Sequence, residues 1–183
     1  VAEHVAIDVD QFYGIEIEEF PAQIAQVALW LMDHQMNLLV SAHFGEHFAR
    51  LPLIKSANIT FADSLSVAWP EVDYIIGNPP FVGKTYQSNE QRAAKLRVMN
   101  EIDCASDLDF VASWFVKSMK LLPTWQKKTQ IAFVSTNSIT QGEQAPILWN
   151  WMYEHGCVIN FAHRTCNWSN EARGKAAVHC VII

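Results

Sequence analysis

The sequence predicts an α/β domain built on a mainly parallel sheet. Three observations carry this: short apolar runs of strand length recur along the chain, stretches with apolar residues at helical spacing stand between them, and Gly, Asn and Pro punctuate the junctions. With 183 residues, half of them hydrophobic and only 17% charged, the chain is long enough to bury a sizeable core and too apolar for disorder. No repeat of 20 to 50 residues and no low-complexity linker interrupts it, so no internal boundary is expected.

Residues 12–17 (FYGIEI) read as a short buried strand, and Pro21 stands where a helix begins without losing a needed amide. Ile24, Val27, Ala28 and Leu31 then follow at helical spacing over 20–37. Residues 59–62 and 72–77 are compact apolar runs, the second stopping abruptly at Gly-Asn-Pro-Pro. The polar stretch 83–103 reads as a mobile loop. Asp107 is placed to cap a helix running to about Leu122, with Phe110, Val111, Trp114, Phe115 and Met119 as its apolar stripe and Pro123 near its end. Residues 130–135 read as a strand, 145–155 as a helix with Gly156 just past its end, 157–162 as a strand and 176–183 as the last strand. In sheets of this kind ligands gather at the carboxyl ends of strands.

Thirteen Lys and Arg against nineteen Asp and Glu leave a formal charge of −6, which excludes a small, wholly basic nucleic-acid clamp but leaves room for a local basic patch. No uninterrupted run of about 18 apolar residues exists to span a bilayer. The first ten residues lack the pattern of a secretory signal, and a cytoplasmic location is the default expectation. Cys104, Cys157, Cys166 and Cys180 form no Cys-x-x-Cys pair and read as reduced thiols. His43 and His47, four apart, suit one helix face, yet no third ligand has suitable spacing, so no metal is expected.

The chemistry concentrates at Asn78-Pro79-Pro80-Phe81, directly after the apolar strand. A residue before proline is biased to extended backbone, and two prolines fix their own φ and remove two amide donors. The product is a stiff, acceptor-rich corner. Its Asn78 side-chain oxygen and Pro79 carbonyl are suited to accept from one amino group while Phe81 stacks on the ring that carries it. The plainer alternative is a strand-terminating turn with a core Phe.

This tetrapeptide after a strand resembles motif IV of the amino-methyltransferases that use S-adenosylmethionine. In that family an acid at the end of an earlier strand binds the cofactor ribose, and Glu16 in FYGIEIEEF matches it; Ile17 matches the apolar residue beside the adenine, and Asp63 in ITFADSL the acid that accepts the adenine amino hydrogen bond. Read alone, Glu16 suits a solvated helix start and Asp63 a turn or cap. The wording QFYGIEIEEFPAQIAQVALWLMDHQMN, YIIGNPPFVGK, AFVSTNSITQGEQ and FAHRTCNWSNEARGKAAVHCVII is similar to the methyltransferase region of fused, type IIG-like restriction-modification enzymes, over nearly the whole chain.

For such an enzyme the resemblance implies site-specific methylation of adenine N6 in DNA, on a base flipped out of the duplex and held between aromatic rings. Phe81 and Trp168 match those rings, with Cys166 standing where the group usually has Phe. Asn78, Pro79, Pro80 and Phe81 are the catalytic candidates, Glu16, Ile17 and Asp63 the cofactor candidates. Lys84, Arg92, Lys95 and Arg97 after the corner, and Arg164, Arg173 and Lys175 around Trp168, are candidates for DNA phosphates or ordinary solvated surface.

The implied fold is a Rossmann-like class I methyltransferase sheet of order 3-2-1-4-5-7-6 with an antiparallel last strand. Its first strand and glycine-rich loop have no counterpart in these residues, so residues 1–183 read as a partial catalytic domain whose partners are DNA and the remaining domains of a larger polypeptide, including the glycine-loop segment and a target recognition domain, with a nuclease as a further candidate. The chain alone is expected to be inactive. The alternatives are a glutamine-amide or RNA-base methyltransferase, which share the proline corner, and a non-catalytic fragment that binds DNA or a partner.

Overall fold

The computed structural model describes residues 6–45, 55–168 and 178–183. The chain forms two compact units, Val1–Pro70 and Glu71–Ile183, each with its own sheet.

In the first unit β1 (Tyr13–Glu16) and β2 (Asn58–Phe61) pair in parallel, with Tyr13 opposite Asn58 and Glu16 opposite Phe61. Gly14 lets them close: a Cβ there would lie 2.7 Å from the Ile59 side chain. The crossover is α1 (Glu19–Phe44), with Pro21 in its first turn, where no intrahelical donor is lost. It runs seven residues past the expected Asn37 and stops at Gly45, whose φ of 69° is the left-handed conformation glycine adopts freely. Lys55 anchors the return through Asp8 at 2.7 Å and Asp10 at 3.0 Å, and these two carboxylates raise its pKa.

The second unit carries a four-stranded sheet in the order β3 (Tyr74–Gly77), β4 (Gln130–Thr136), β6 (Val178–Ile182), β5 (His163–Trp168). β3 and β4 are parallel; β6 runs antiparallel to both β4 and β5. The molecule is therefore mixed α/β, and both antiparallel pairings involve its last strand. Helix α3 (Ala112–Leu121) packs on this sheet through Phe115 and Phe133, and α2 (Asn89–Val98) and α4 (Gln144–Glu154) lie against α3. Four of the five residues of the expected stripe, Phe110, Val111, Phe115 and Met119, are buried, while Trp114 is half-buried and Val116 joins the core; Phe115 meets Phe133 of β4 edge to face at 5.2 Å, and Leu148 of α4 is fully enclosed.

Three expectations fail, each for a physical reason. The stretch 83–103 contains α2, a helix whose largely polar faces (NEQRAAKLRV) hide its period; it is specified at its start by a capping box in which Ser88 accepts from the Gln91 amide at 3.2 Å and Gln91 accepts from the Ser88 amide at 3.0 Å. Asp107 does not cap α3, because a 3-10 turn (Ala105–Asp107) intervenes and the helix begins five residues later. The apolar run 157–162 is irregular and largely exposed, and the strand is the polar segment after it. β5 is an edge strand with one neighbour, and the ladder to β6, with Cys166 opposite Cys180, sets its position rather than hydropathy.

Candidate active site

The Asn78–Phe81 corner leaves the carboxyl end of β3, where Gly77 pairs with Phe133. A Cβ on Gly77 would stand 3.2 Å from the Phe133 ring, so the strands approach closely just before the corner. Every described peptide bond is trans. Pro79 is buried and Phe81 half-buried, whereas Asn78 and Pro80 face outward. The Pro80 carbonyl accepts from the Val82 amide at 3.2 Å. Among the described residues, neither the Asn78 side chain nor the Pro79 carbonyl makes a hydrogen bond. Two neighbouring acceptors are thus left unsatisfied on a backbone that cannot rearrange easily.

Downstream, a polar framework ties the chain leaving the corner to the segment before α3. Phe110 donates to the Val82 carbonyl at 2.9 Å, and the Asp109 carboxylate accepts from the Lys84 amide at 2.8 Å and the Ser138 hydroxyl at 2.6 Å. Ser138 belongs to the 3-10 turn Asn137–Thr140, directly after β4. The Asp109 amide donates to the Gln144 side chain at 2.9 Å, and the Leu108 carbonyl accepts from Lys95 at 2.6 Å and Gln87 at 3.2 Å. None of this was legible beforehand. The one sequence signal is a lone acid, Asp109, inside the apolar run LDFVA, two residues from the more obvious capping candidate Asp107.

In the first unit, Glu16 and Asp63 stand at the carboxyl ends of adjacent parallel strands: Glu16 ends β1 opposite Phe61, and Asp63 follows β2 by two residues. Both are half-buried, while Ile17 is exposed. Glu16 accepts from the Glu18 amide at 3.2 Å. Asp63 accepts from the Leu65 amide at 2.9 Å and the Ser66 hydroxyl at 2.5 Å, so it does shape a turn as its plainer reading required. Each carboxylate has about four lone-pair directions, so these contacts leave acceptor capacity for a ligand.

The basic candidates separate. Lys84 lies 3.3 Å from Asp107 and 3.8 Å from Glu143, in pairs exposed enough to be weak and exchangeable. Arg92 and Arg97 are exposed on α2. Lys95 is buried and spends its donors on the Leu108 and Ser106 carbonyls, so it is a framework residue and does not face phosphate. Burial pulls its pKa below 10.5. Trp168 ends β5 opposite Val178, and the backbone of Arg164 lies in the same strand. Arg173, Lys175 and His47 lie outside the described residues.

Comparison with known proteins identifies the family. The family described as MmeI, DNA-methyltransferase domain, matches residues 1–183. DNA methyltransferase A of Bacillus subtilis (strain 168) is 38% identical over 188 residues, covering 97% of this chain and 21% of that protein. The solved structure of the type IIL restriction-modification enzyme MmeI in complex with DNA superposes with a TM-score of 0.91 at 53% identity, over all of this chain and 25% of that one. The chain therefore spans about a fifth to a quarter of the length of these relatives. The resemblance to the methyltransferase region of restriction-modification enzymes is borne out, and the chain belongs to the MmeI DNA-methyltransferase domain family.

Proposed function

We propose that this chain is the part of a site-specific DNA adenine-N6 methyltransferase that presents the target-amine acceptors and the nucleoside end of the S-adenosylmethionine site. The observation that carries the reading is the corner itself: two adjacent acceptors, Asn78 Oδ1 and the Pro79 carbonyl, unengaged by described residues, on a backbone stiffened by two prolines beside a half-buried Phe81. Two acceptors match the two hydrogens of one amino group. Their pull favours a pyramidal nitrogen with its lone pair directed outward, so the contribution is positioning and electrostatics, with no covalent enzyme intermediate.

The residues also fit the cofactor. Two half-buried carboxylates on neighbouring strand ends suit a nucleoside, Glu16 accepting from the ribose hydroxyls and Asp63 from the adenine amino group, with the exposed Ile17 offering an apolar surface to the ring. The cofactor, when bound, supplies an electrophilic methyl group. Within the second unit, the order β3-β4-β6-β5 with an antiparallel last strand supports reading it as the 4-5-7-6 half of a Rossmann-like class I sheet, and the parallel β1-β2 pair of the first unit supports reading it as strands 2 and 3.

β3, β4 and β5 run in one direction, because the two antiparallel steps through β6 cancel; Asn78 and Trp168 therefore lie at the same end of the sheet. Three inter-strand spacings of about 4.8 Å set β3 and β5 about 14 Å apart across the sheet, and the register carries the end of β5 further along than the end of β3. In this reading a flipped base lies between Phe81 and Trp168, with Lys84, Arg164, Arg173 and Lys175 as candidates for flanking phosphates. The DNA-recognition surface and glycine-rich loop would come from other parts of the parent protein, which acts on DNA in the cytoplasm. Nucleoside analysis of DNA treated with the full-length parent and S-adenosylmethionine tests the proposal. N6-methyladenine is the expected product; N4-methylcytosine alone, or methylated glutamine without methylated DNA, overturns it.

A further inference from the structure

We infer that Asp109 is a positioning residue for the methyl-transfer step: its carboxylate locks the downstream end of the Asn78–Phe81 corner to the turn that follows β4. The inference rests on reading that corner as the target-amine acceptor. The upstream end is held by the sheet, through the pairing of Gly77 with Phe133. Prolines stiffen the corner internally but cannot fix where it points, because Pro79 and Pro80 have no amides with which to anchor it.

Anchoring falls to the next residues with donors and acceptors to spare. Val82 offers its carbonyl to the Phe110 amide at 2.9 Å, and Lys84 offers its amide to Asp109 Oδ1 at 2.8 Å. Asp109 Oδ2 takes the Ser138 hydroxyl at 2.6 Å, and Ser138 lies 2.6 Å from the Thr136 hydroxyl at the end of β4. One buried carboxylate thus bridges the exits of two adjacent parallel strands. Its own backbone is pinned in turn by Gln144 on the Asp109 amide, and by Lys95 and Gln87 on the Leu108 carbonyl. A carboxylate suits the place because both of its partners are donors, and the buried Lys95 ammonium nearby offsets its charge.

With the carboxylate gone, Lys84 and Ser138 lose their common acceptor, the link to the turn after β4 is cut, and only the Val82–Phe110 backbone bond still ties the chain leaving the corner to the segment before α3. A displacement of about 1 Å at a near-attack geometry costs roughly 100-fold in rate. Residues that hold the cofactor nucleoside, Glu16 and Asp63, belong to the other unit, so the loss falls on the chemical step.

The test uses the full-length parent in single-turnover methyl transfer, alongside cofactor affinity and fluorescence of 2-aminopurine at the target position. Asp109→Ala is expected to slow single-turnover transfer ~10- to 100-fold with cofactor Kd within about twofold of the parent and base flipping retained. Asp109→Asn, whose amide oxygen still accepts from Lys84 and whose amide nitrogen donates to the Ser138 hydroxyl, is expected to restore most of the rate. Ser138→Ala, a milder change that removes one arm only, should slow transfer several-fold, and adding it to Asp109→Ala should cost little more, since both act through one bridge. An unchanged transfer rate in Asp109→Ala, or in Ser138→Ala should the first variant not fold, overturns the inference, as does an equal loss of cofactor affinity. Failure of the unmutated parent to form N6-methyladenine sinks the proposed function and is seen before any variant is compared.

Discussion

Asn78 and Asp63 are both polar residues just past a strand, yet the proposed function gives them different steps. In the proposed function one meets the reacting amine and the other the cofactor adenine, so only the first would bear on the chemical barrier. In the parent, Asn78→Ala is expected to lower kcat about 100-fold or more with cofactor affinity nearly unchanged, by analogy with the loss of one preorganised polar contact at a reacting atom. Asp63→Ala is expected to weaken cofactor binding about 10- to 100-fold, the range for a hydrogen bond to a charged group. Asp63→Asn, which still accepts from the Leu65 amide, separates lost cofactor contact from a loosened turn. Calorimetric titration with steady-state kinetics reads both, and equal loss of affinity in the two Ala variants refutes the division. Lys95 makes a different kind of prediction. Burial holds its pKa below the ordinary 10.5, so between that lowered value and 10.5 the unfolded chain binds more protons than the folded one, and this group's contribution to stability rises with pH. The penalty is fully present below the folded pKa and vanishes above 10.5. Lys95→Met should flatten the stability profile across that window, measured by denaturant unfolding from pH 7 upward; an unaltered slope counts against it.

At the scale of elements, the β3 and β4 pair positions the corner, and its tightest point is Gly77 against Phe133. Phe133 is 2% exposed and packs edge to face on Phe115, so its ring has little room to yield to a Cβ arriving at 3.2 Å. Gly77→Ala is expected to cost about 1–3 kcal/mol by overpacking and to lower kcat in the parent more than it weakens cofactor binding, because the strain falls one residue before Asn78. Thermal unfolding and single-turnover rates check the two halves. A fully stable variant with normal turnover shows that the strands can part freely. Helix α2 illustrates why local signals were only partly readable: its cap residues Ser88 and Gln91 are visible in the sequence, but its polar faces gave no apolar period to read between them. β5 illustrates the converse, since a polar edge strand owes its place to the partner across the ladder.

At the scale of the whole molecule, the 183 residues contain no Gly-x-Gly, so nothing in them wraps the methionine end of the cofactor as a glycine-rich loop does. The polypeptide of these residues, made alone, is expected to bind S-adenosylmethionine weakly or not at all and to transfer no methyl group. Micromolar binding by calorimetry together with radiolabelled transfer to duplex DNA contradicts that. The same polypeptide exposes large apolar side chains in groups: Phe20, Ile24, Val27 and Leu31 on α1, and Tyr74 and Ile76 on one face of β3. Clustered apolar surface and short open strand edges favour association, so its sedimentation coefficient should climb with concentration. A constant monomer value over a hundredfold range opposes this.

Some of this was settled by chain order. The alternation of apolar runs and helical stripes carried the α/β class, the glycine past α4 marked a real helix end, and Asn78-Pro79-Pro80-Phe81 announced its corner because proline constrains backbone wherever it occurs. The acids Glu16 and Asp63 were marked by the family resemblance alone, and the structure puts both at the ends of paired strands. What needed the tertiary structure was everything resting on partners far apart in sequence: that Lys95 is buried on the carbonyl of Leu108, that the strand before β6 lies in the polar segment, and that Asp109 joins Lys84 to Ser138 across separations of 25 and 29 residues. Backbone stiffness and short-range period are properties of neighbouring residues. A hydrogen bond across the fold depends on where packing carries each partner, and no local pattern records that.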